Sequence, residues 1–254
     1  VLSSPFSKVI TSSHFYDSMT RHLYILFFVL ILPALSVQAQ SLDTASKVDS
    51  LLEAMSLEEK VGQLFMVAAY SNKDDKHQAY LETLVKNYGI GGVIVMQGGP
   101  ERQKNLVQRL QAASKLPLLV GQDAEWGQAM RLDSTYKFPT SLTVGAVQDM
   151  DLVEDLGAAL AYESHKTGVH MSFSPVLDVN TNPKNPIIGA RSFGSDPLEV
   201  SKRGLSLTRG MEGAGVLGSG KHFPGHGDTQ SDSHKTLPVV DRTLEELKEV
   251  EWVP

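Results

Sequence analysis

Between residues 221 and 234 the sequence concentrates side chains that can move protons and bind polar ligands. The segment reads Lys-His-Phe-Pro-Gly-His-Gly-Asp-Thr-Gln-Ser-Asp-Ser-His and contains three of the chain's eight histidines. Titratable side chains rarely cluster in this way by chance. We therefore predict a chemical site within this segment.

The residues before this segment alternate between helical and strand patterns. Five apolar runs predict strands at residues 64–69, 91–96, 118–120, 169–173 and 216–219. Three helical patterns end in a glycine shortly before such a run, at Gly89, Gly168 and Gly215. Glycine adopts the left-handed conformation that ends many helices. Strands that are apolar throughout are buried on both faces, which indicates a parallel sheet.

Polar side chains follow three of the predicted strands. Gln-Asp-Ala-Glu occupies residues 122–125, Asp178 and Asn180 come after the next strand, and Lys221 begins the histidine-rich segment. Polar residues beyond the carboxyl ends of several strands are typical of a barrel active site. No Gly-x-Gly-x-x-Gly turn follows a strand, which argues against a dinucleotide-binding open sheet. The sequence therefore predicts an α/β fold, a (β/α)8 TIM-like barrel of which about the first five strand–helix units are present.

The composition excludes several classes of function. The chain has 254 residues, a formal net charge of −6 and no cysteine. A mildly acidic chain without a basic block argues against nucleic acid as a partner. The lack of cysteine excludes disulfides and thiolate ligands. The histidines also lack the His-x-His and His-Glu-x-x-His spacings of metal sites, so we expect no metal and no cofactor.

Residues 19–39 have the features of a secretory signal peptide. A basic start at residues 19–22 precedes an apolar stretch at residues 23–32, and small side chains stand at Val37 and Ala39. The apolar stretch is shorter than the ~20 residues that span a bilayer. We predict cleavage after Ala39, a secreted or periplasmic mature protein at residues 40–254 without a stable membrane span, and an upstream segment at residues 1–18.

Four stretches, in order, resemble the N-terminal barrel of glycoside hydrolase family 3, in its bacterial β-N-acetylhexosaminidase branch. The stretches are residues 221–234, residues 123–131 with Phe138-Pro139, residues 174–180 and residues 191–194. The resemblance covers roughly residues 48–254. It implies that His234 is the acid/base, oriented by Asp232, on a loop that Gly225 and Gly227 allow to bend. The spacing of two residues lets both side chains point the same way from an extended segment. A carboxylate that holds one imidazole nitrogen lets the other nitrogen give and take a proton. The resemblance also implies that five residues hold the sugar: Asp123, Arg131, Arg191, Lys221 and His222. Asp178 and Asn180 are expected to support the floor of the site, and His226 is expected to be structural.

The sequence departs from the family's pattern in two respects. The family usually has Glu-Gly-Gly-Arg where this chain has Glu-Trp-Gly-Gln at residues 125–128. Trp126 is interpreted either as part of a subsite wall or as packing under the loop. The family's nucleophile is an aspartate at the end of the seventh strand, which we expect beyond Pro254. The residues from Glu249 to Trp252 are expected to form a plain helix face.

The resemblance implies a retaining exo-glycosidase that releases terminal β-linked N-acetylglucosamine-type sugars from cell-wall or chitin-derived oligosaccharides. A small aminosugar oligosaccharide is the expected partner, the oligomeric state stays open, and the chain as given is expected to be inactive alone. Four alternatives stay open: a β-glucosidase or xylosidase of the same family, a phosphorylase, a non-catalytic carbohydrate-binding fragment, and a metal-dependent hydrolase.

Overall fold

The computed structural model describes residues 44–232 and 234–254. The chain divides at Ser56 into two units. In the first unit, residues 44–54 form helix α1. The predicted signal peptide and upstream segment lie outside the described residues. None of the helices in the described part of the chain is long and apolar enough to cross a membrane.

The second unit, Leu57–Pro254, alternates helices and strands along its length. Its strands are β1 (Met66–Ala69), β2 (Gly92–Val95), β3 (Leu119–Gln122), β4 (Met171–Ser172) and β5 (Leu217–Gly218). Its helices are α2 (Leu57–Gln63), α3 (Asp75–Tyr88), α4 (Pro100–Ala113), α5 (Ser141–Val144), α6 (Met150–Lys166), α7 (Pro197–Gly213) and α8 (Leu244–Glu249). Short 3-10 turns cover Gln128–Met130 and Gly189–Arg191.

The five strands form one parallel sheet in the order β1-β2-β3-β4-β5. Val93 on β2, for example, is in register with Val67 on β1 and with Val120 on β3. A parallel sheet whose spatial order follows the chain order is what successive units of a (β/α)8 barrel produce. The predicted α/β class and the five strand–helix units are confirmed.

The predicted helix ends are confirmed by the backbone. Gly89, Gly168 and Gly215 have φ angles of 58°, 80° and 85°. These values lie in the left-handed region, which side chains with a Cβ rarely adopt. At Gly89 the amide donates to the carbonyl of Val85, which satisfies a helix-end acceptor and directs the chain into β2.

Two clusters of buried apolar side chains hold the strands and helices together. The first joins α3 and α4 to the sheet and includes Leu81, Leu110 and Val120. The second lies around α6 and α7 and includes Val153 and Leu207. Full burial of a side chain of this size contributes about 1.5–3 kcal/mol. The two clusters therefore make the rigid frame on which the loops at the carboxyl ends of the strands are mounted.

The prediction of a buried strand over residues 64–69 is wrong for its first two residues, and of the four residues that do form the strand only Ala69 is buried. Leu64 and Phe65 are 84% and 56% exposed, and β1 begins at Met66. Their amides donate to the carbonyls of Val61 and Gly62, so they complete the turn that ends α2. The apolar run alone could not distinguish the end of a helix from the start of a strand.

We expect residues 40–254, produced as an isolated polypeptide, to be poorly soluble. Apolar side chains that include Leu57, Phe65 and Tyr88 line an open groove of about 750 Å³ beside α2 and α3. In addition, β1 and β5 each have one neighbouring strand among the described residues, and unpaired strand edges promote aggregation. Size-exclusion chromatography with light scattering checks this expectation. A soluble monomer that melts cooperatively would contradict it.

Candidate active site

The carboxyl ends of β3, β4 and β5 bring the predicted site residues together. Beyond β4 and β5 the chain stays paired, because Val176 and Lys221 form a parallel bridge and the amide of Leu177 donates to the carbonyl of Lys221 at 2.7 Å. This pairing places Asp178 beside His222, and it directs Lys221 toward the residues that follow β3.

Lys221 joins two carboxylates that lie 98 and 96 residues before it in the chain. Its Nζ lies 2.5 Å from Oδ1 of Asp123 and 2.7 Å from Oε1 of Glu125. Arg131 holds the other oxygen of Asp123 at 2.5 Å, and its Nε donates to the Asp123 carbonyl at 2.9 Å. Arg191 forms a two-pronged ion pair with Glu125, at 2.7 and 2.9 Å. Four of the five predicted sugar-binding residues therefore belong to one network, with Glu125 at its centre.

The charges of this network shift the pKa values of Asp123 and Arg191. Burial acts to raise the pKa of Asp123, but the hydrogen bonds and charges of Lys221 and Arg131 outweigh it and hold that pKa below its usual value. Burial acts to lower the pKa of Arg191, and the ion pair with Glu125 outweighs it and raises that pKa. Asp123 is therefore a carboxylate with acceptor capacity. Together with Glu125 and the donors Arg131, Arg191 and Lys221 it forms a polar cradle.

His222, the fifth predicted sugar-binding residue, is held by Asp178. Nδ1 of His222 lies 2.5 Å from Oδ2 of Asp178, whose side chain is fully buried. Nη2 of Arg191 lies 3.2 Å from Nε2 of His222. A guanidinium only donates, so Nε2 accepts and Nδ1 carries the proton that Asp178 accepts. In this arrangement the outer nitrogen of His222 is an acceptor already used by Arg191.

The predicted acid/base pair is formed, at a separate position. Nδ1 of His234 lies 2.9 Å from Oδ1 of Asp232, which also accepts from the His234 amide at 2.9 Å. Two hydrogen bonds from His234 lower the pKa of Asp232. The bond from the backbone amide has the larger effect, and the bond from the ring has the next largest. The His234 side chain is 77% exposed. In the part of the chain that the structure describes, no hydrogen bond or ion pair joins this pair to the network around Glu125.

The glycines of the histidine-rich segment serve close packing. A Cβ on Gly227 would lie 1.7 Å from the Val179 carbonyl oxygen, and one on Gly225 would lie 2.2 Å from Cγ of Glu251. His226 is buried, and its ring Nδ1 is hydrogen-bonded to the hydroxyl of Thr229. Gly225 has a φ of 136°, which agrees with the predicted bend, and Gly227 is required by its close approach to the Val179 backbone. The structural role expected for His226 agrees with its burial.

The profile of the glycosyl hydrolase family 3 N-terminal domain matches residues 56–254. The chain belongs to glycosyl hydrolase family 3. The resemblance carried by the four sequence stretches is therefore confirmed. Among curated proteins, a beta-hexosaminidase A from Pseudoalteromonas piscicida is 35% identical over 187 residues, which cover 68% of this chain and 31% of the relative. The chain thus spans about a third of the length of that relative.

Two solved structures share the fold, and the first is named as a glycoside hydrolase family 3 enzyme. A beta-N-acetylglucosaminidase from Paenibacillus sp. str. FPU-7 superposes with a TM-score of 0.71 at 34% identity, covering 79% of this chain and 39% of that one. Beta-glucoside phosphorylase BglX, bound to 2FGlc, superposes with a TM-score of 0.76 at 29% identity, covering 81% and 37%. The five-stranded sheet is therefore part of a family 3 TIM-like barrel, as the sequence predicted.

The departure from the family's Glu-Gly-Gly-Arg pattern lies in the interior. Trp126 is half-buried and, with Phe138 and Phe193, lines a small cleft of about 10 Å³, which supports the packing interpretation. Gln128 is buried and donates to Oε1 of Gln122 at 3.1 Å and to the hydroxyl of Thr167. A buried amide network thus occupies the position where the family usually has a charge.

Sequence reasoning missed three residues of this family 3 site or its surroundings. Glu125 is 4% exposed and could have been found from its place in the same polar run as Asp123.

The second missed residue is Glu251. The prediction that residues 249–252 form a plain helix face is wrong, because α8 ends at Glu249. Glu251 is buried, which raises its pKa, and Trp252 stacks on Phe223 at 5.9 Å and donates to the Pro224 carbonyl.

The third missed residue is Asn185, whose side-chain amide contacts the carbonyls of His226, Gly227 and Thr229. Its place before Pro186 marked a turn but gave no indication of its partners. Among the described residues, no group of three or more His, Asp or Glu side chains could hold a metal ion.

Proposed function

We propose that the protein is a retaining exo-glycosidase that releases terminal β-linked N-acetylglucosamine-type sugars. The observation that carries the proposal is the hydrogen-bonded pair of Asp232 and His234, in a chain whose barrel also presents a polar cradle. The relatives point to the sugar, because one is named a beta-hexosaminidase and another a beta-N-acetylglucosaminidase. The substrate class is thus an aminosugar oligosaccharide, such as one derived from chitin or from a bacterial cell wall.

The cradle binds the sugar through donors and acceptors that are already ordered. Asp123 is ionised and accepts from sugar hydroxyls, while Lys221, Arg131 and Arg191 donate to sugar oxygens. Each of these side chains is held by an ion pair before substrate arrives. Binding therefore orders few side chains, which limits its entropic cost. His222 is fixed by Asp178, and its Nε2 accepts from Arg191, so its ring helps to orient that arginine toward the sugar.

The proton transfers are assigned to His234. Asp232 remains ionised because its pKa is lowered, so it orients the ring and stabilises the imidazolium form. In the first step, Nε2 gives its proton to the leaving glycosidic oxygen; in the second, it takes a proton from the attacking water. The His234 side chain is exposed, so its Nε2 is accessible to a substrate.

The nucleophile is proposed to be a carboxylate that follows Pro254. Retaining glycosidases need a carboxylate to attack the anomeric carbon. Asp123 and Glu125 are each paired with two cations, and Asp178 is fully buried beneath His222. A carboxylate engaged in this way is a poor nucleophile, because its lone pairs are already shared with donors. We further propose that residues 19–39 direct export, so that the enzyme acts on extracellular or periplasmic glycans.

Phosphorolysis is a second candidate. It is favoured by the TM-score of 0.76 to a beta-glucoside phosphorylase. An imidazole acid/base also does not repel an anionic acceptor as a carboxylate would. In this version inorganic phosphate, rather than water, receives the sugar in the second step.

The full-length protein tests both versions with a small panel of substrates. We expect 4-nitrophenyl β-N-acetylglucosaminide to be cleaved faster than the matching β-glucoside and β-xyloside, without added phosphate and after treatment with a chelator. Proton NMR of the first product should show the β-anomer. A strict need for phosphate would select the phosphorylase, preference for the glucoside or xyloside would replace the assigned sugar, and activity lost to the chelator would indicate a metal-dependent hydrolase. Sugar binding without turnover would indicate a binding protein.

A further inference from the structure

The side-chain amide of Asn185 lies between the start of the acid/base loop and the turn that carries Arg191. The start of the loop, residues 226–229, is called the loop root below. Nδ2 of Asn185 lies 2.7 Å from the carbonyl of His226, 3.2 Å from that of Gly227 and 3.0 Å from that of Thr229. These three residues immediately precede the segment with Asp232 and His234. The side chain is buried, so water does not compete for these bonds.

The other end of the same side chain holds a different part of the site. Oδ1 of Asn185 accepts from the amides of Ile187 and Ile188, at 2.9 and 2.8 Å. The 3-10 turn that begins at Gly189 follows directly, and it ends at Arg191, which is paired with Glu125. Asparagine suits this position because it presents a donor and an acceptor on one planar group, whereas aspartate offers only acceptors.

We propose that Asn185 is a positioning residue that fixes the acid/base loop relative to the sugar cradle; this rests on the function proposed above. His226 donates its amide to Asp178 at 2.7 Å, so the loop root is held from one side by Asp178 and from the other by Asn185. Only Gln230 and Ser231 separate Thr229 from Asp232. A shift of the root is therefore carried directly to the histidine that must reach the glycosidic oxygen.

The substitution Asn185→Asp removes the donor of this side chain and keeps its acceptor. The carboxylate still accepts from the amides of Ile187 and Ile188, so the turn with Arg191 is kept. It cannot donate, and it faces three carbonyl oxygens, so the loop root is released. A misplacement of about 1 Å in a reacting group costs about 100-fold in rate. We expect kcat for an unactivated N-acetylglucosaminide to fall about 100-fold, with KM little changed.

The leaving group distinguishes positioning from a loss of stability. A dinitrophenol leaving group needs no proton, so kcat for 2,4-dinitrophenyl β-N-acetylglucosaminide should fall less than about 10-fold in the same full-length variant. Val153→Ala, in the cluster between α6 and α7, is the stability control, because it creates a cavity without touching the loop. It should change both substrates alike. Asn185→Ala removes both the donor and the acceptor, and it provides the same comparison of the two substrates if the aspartate variant does not fold.

An equal loss on the two substrates in the Asn185 variants would overturn the positioning role. His234→Ala, measured beside them, keeps the two proposals apart. If His234→Ala is selective for the unactivated substrate and Asn185→Asp is not, the positioning role fails and the acid/base stands. If His234→Ala is not selective, the proposed acid/base itself fails.

Discussion

Replacing His234 with alanine in the full-length protein should lower kcat/KM for an unactivated β-N-acetylglucosaminide by about 10²- to 10⁴-fold. The ring of His234 is oriented by Asp232 at 2.9 Å and is otherwise exposed, so its removal leaves the fold intact. The variant loses the proton that His234 donates to the leaving oxygen. The loss should therefore shrink for a dinitrophenyl glycoside, which departs without a proton. Steady-state kinetics on both substrates provides the measurement.

His165→Ala is the matched control for this substitution. His165 is an exposed histidine whose Nε2 lies 2.6 Å from the carbonyl of Ala214, and it belongs to neither the cradle nor the acid/base pair. We expect its rates to stay within about twofold of the parent, as for a surface change. Undiminished turnover of the unactivated substrate by His234→Ala would remove His234 from the mechanism.

The elements of the fold were predictable wherever the signal is local. Thr243 followed three residues later by Glu246 is the sequence pattern of a capping box, and the structure has this box at the start of α8, with the two side chains bonded to each other's backbone amides. The glycines that end α3 and α6 were identified for the same reason, since a left-handed φ depends on the residue itself. Leu64 and Phe65 were misassigned because their environment depends on how α2 ends, which an apolar run does not encode.

The site was predictable to the extent that strand order brings its parts together. Lys221 and Asp123 are far apart in sequence, yet both follow strands of one parallel sheet, so their meeting at one edge was expected. Single side chains with long-range partners were not expected. Glu125 meets Arg191 over a separation of 66 residues, and Asn185 meets the loop over a separation of 41 to 44. These contacts depend on loop paths, for which the sequence carries turn signals but no distances.

Replacing Glu125 with glutamine should destabilise the protein by about 3 kcal/mol, the lower end of the cost of breaking a buried ion pair. The Glu125 side chain is 1% exposed and pairs with both Arg191 and Lys221. Glutamine keeps the shape and an acceptor oxygen, but it leaves two cations with one fewer negative charge in a site that water barely enters. Because Arg191 and Lys221 are then less well ordered, KM should also rise. Denaturant unfolding and steady-state kinetics of the full-length variant measure the two effects.

Glu59→Gln makes the same chemical change at the surface. Glu59 pairs with Lys115 at 3.1 Å, and both side chains are exposed, so the loss of that pair should cost at most about 1 kcal/mol. The difference between the two variants therefore reports the burial of the charge rather than the substitution itself. Equal unfolding free energies for Glu125→Gln and Glu59→Gln, with an unchanged KM, would mean that Lys221 and Arg191 are held by other contacts. In that case the cradle would be ordered by the backbone beyond the strands rather than by the carboxylate between its cations.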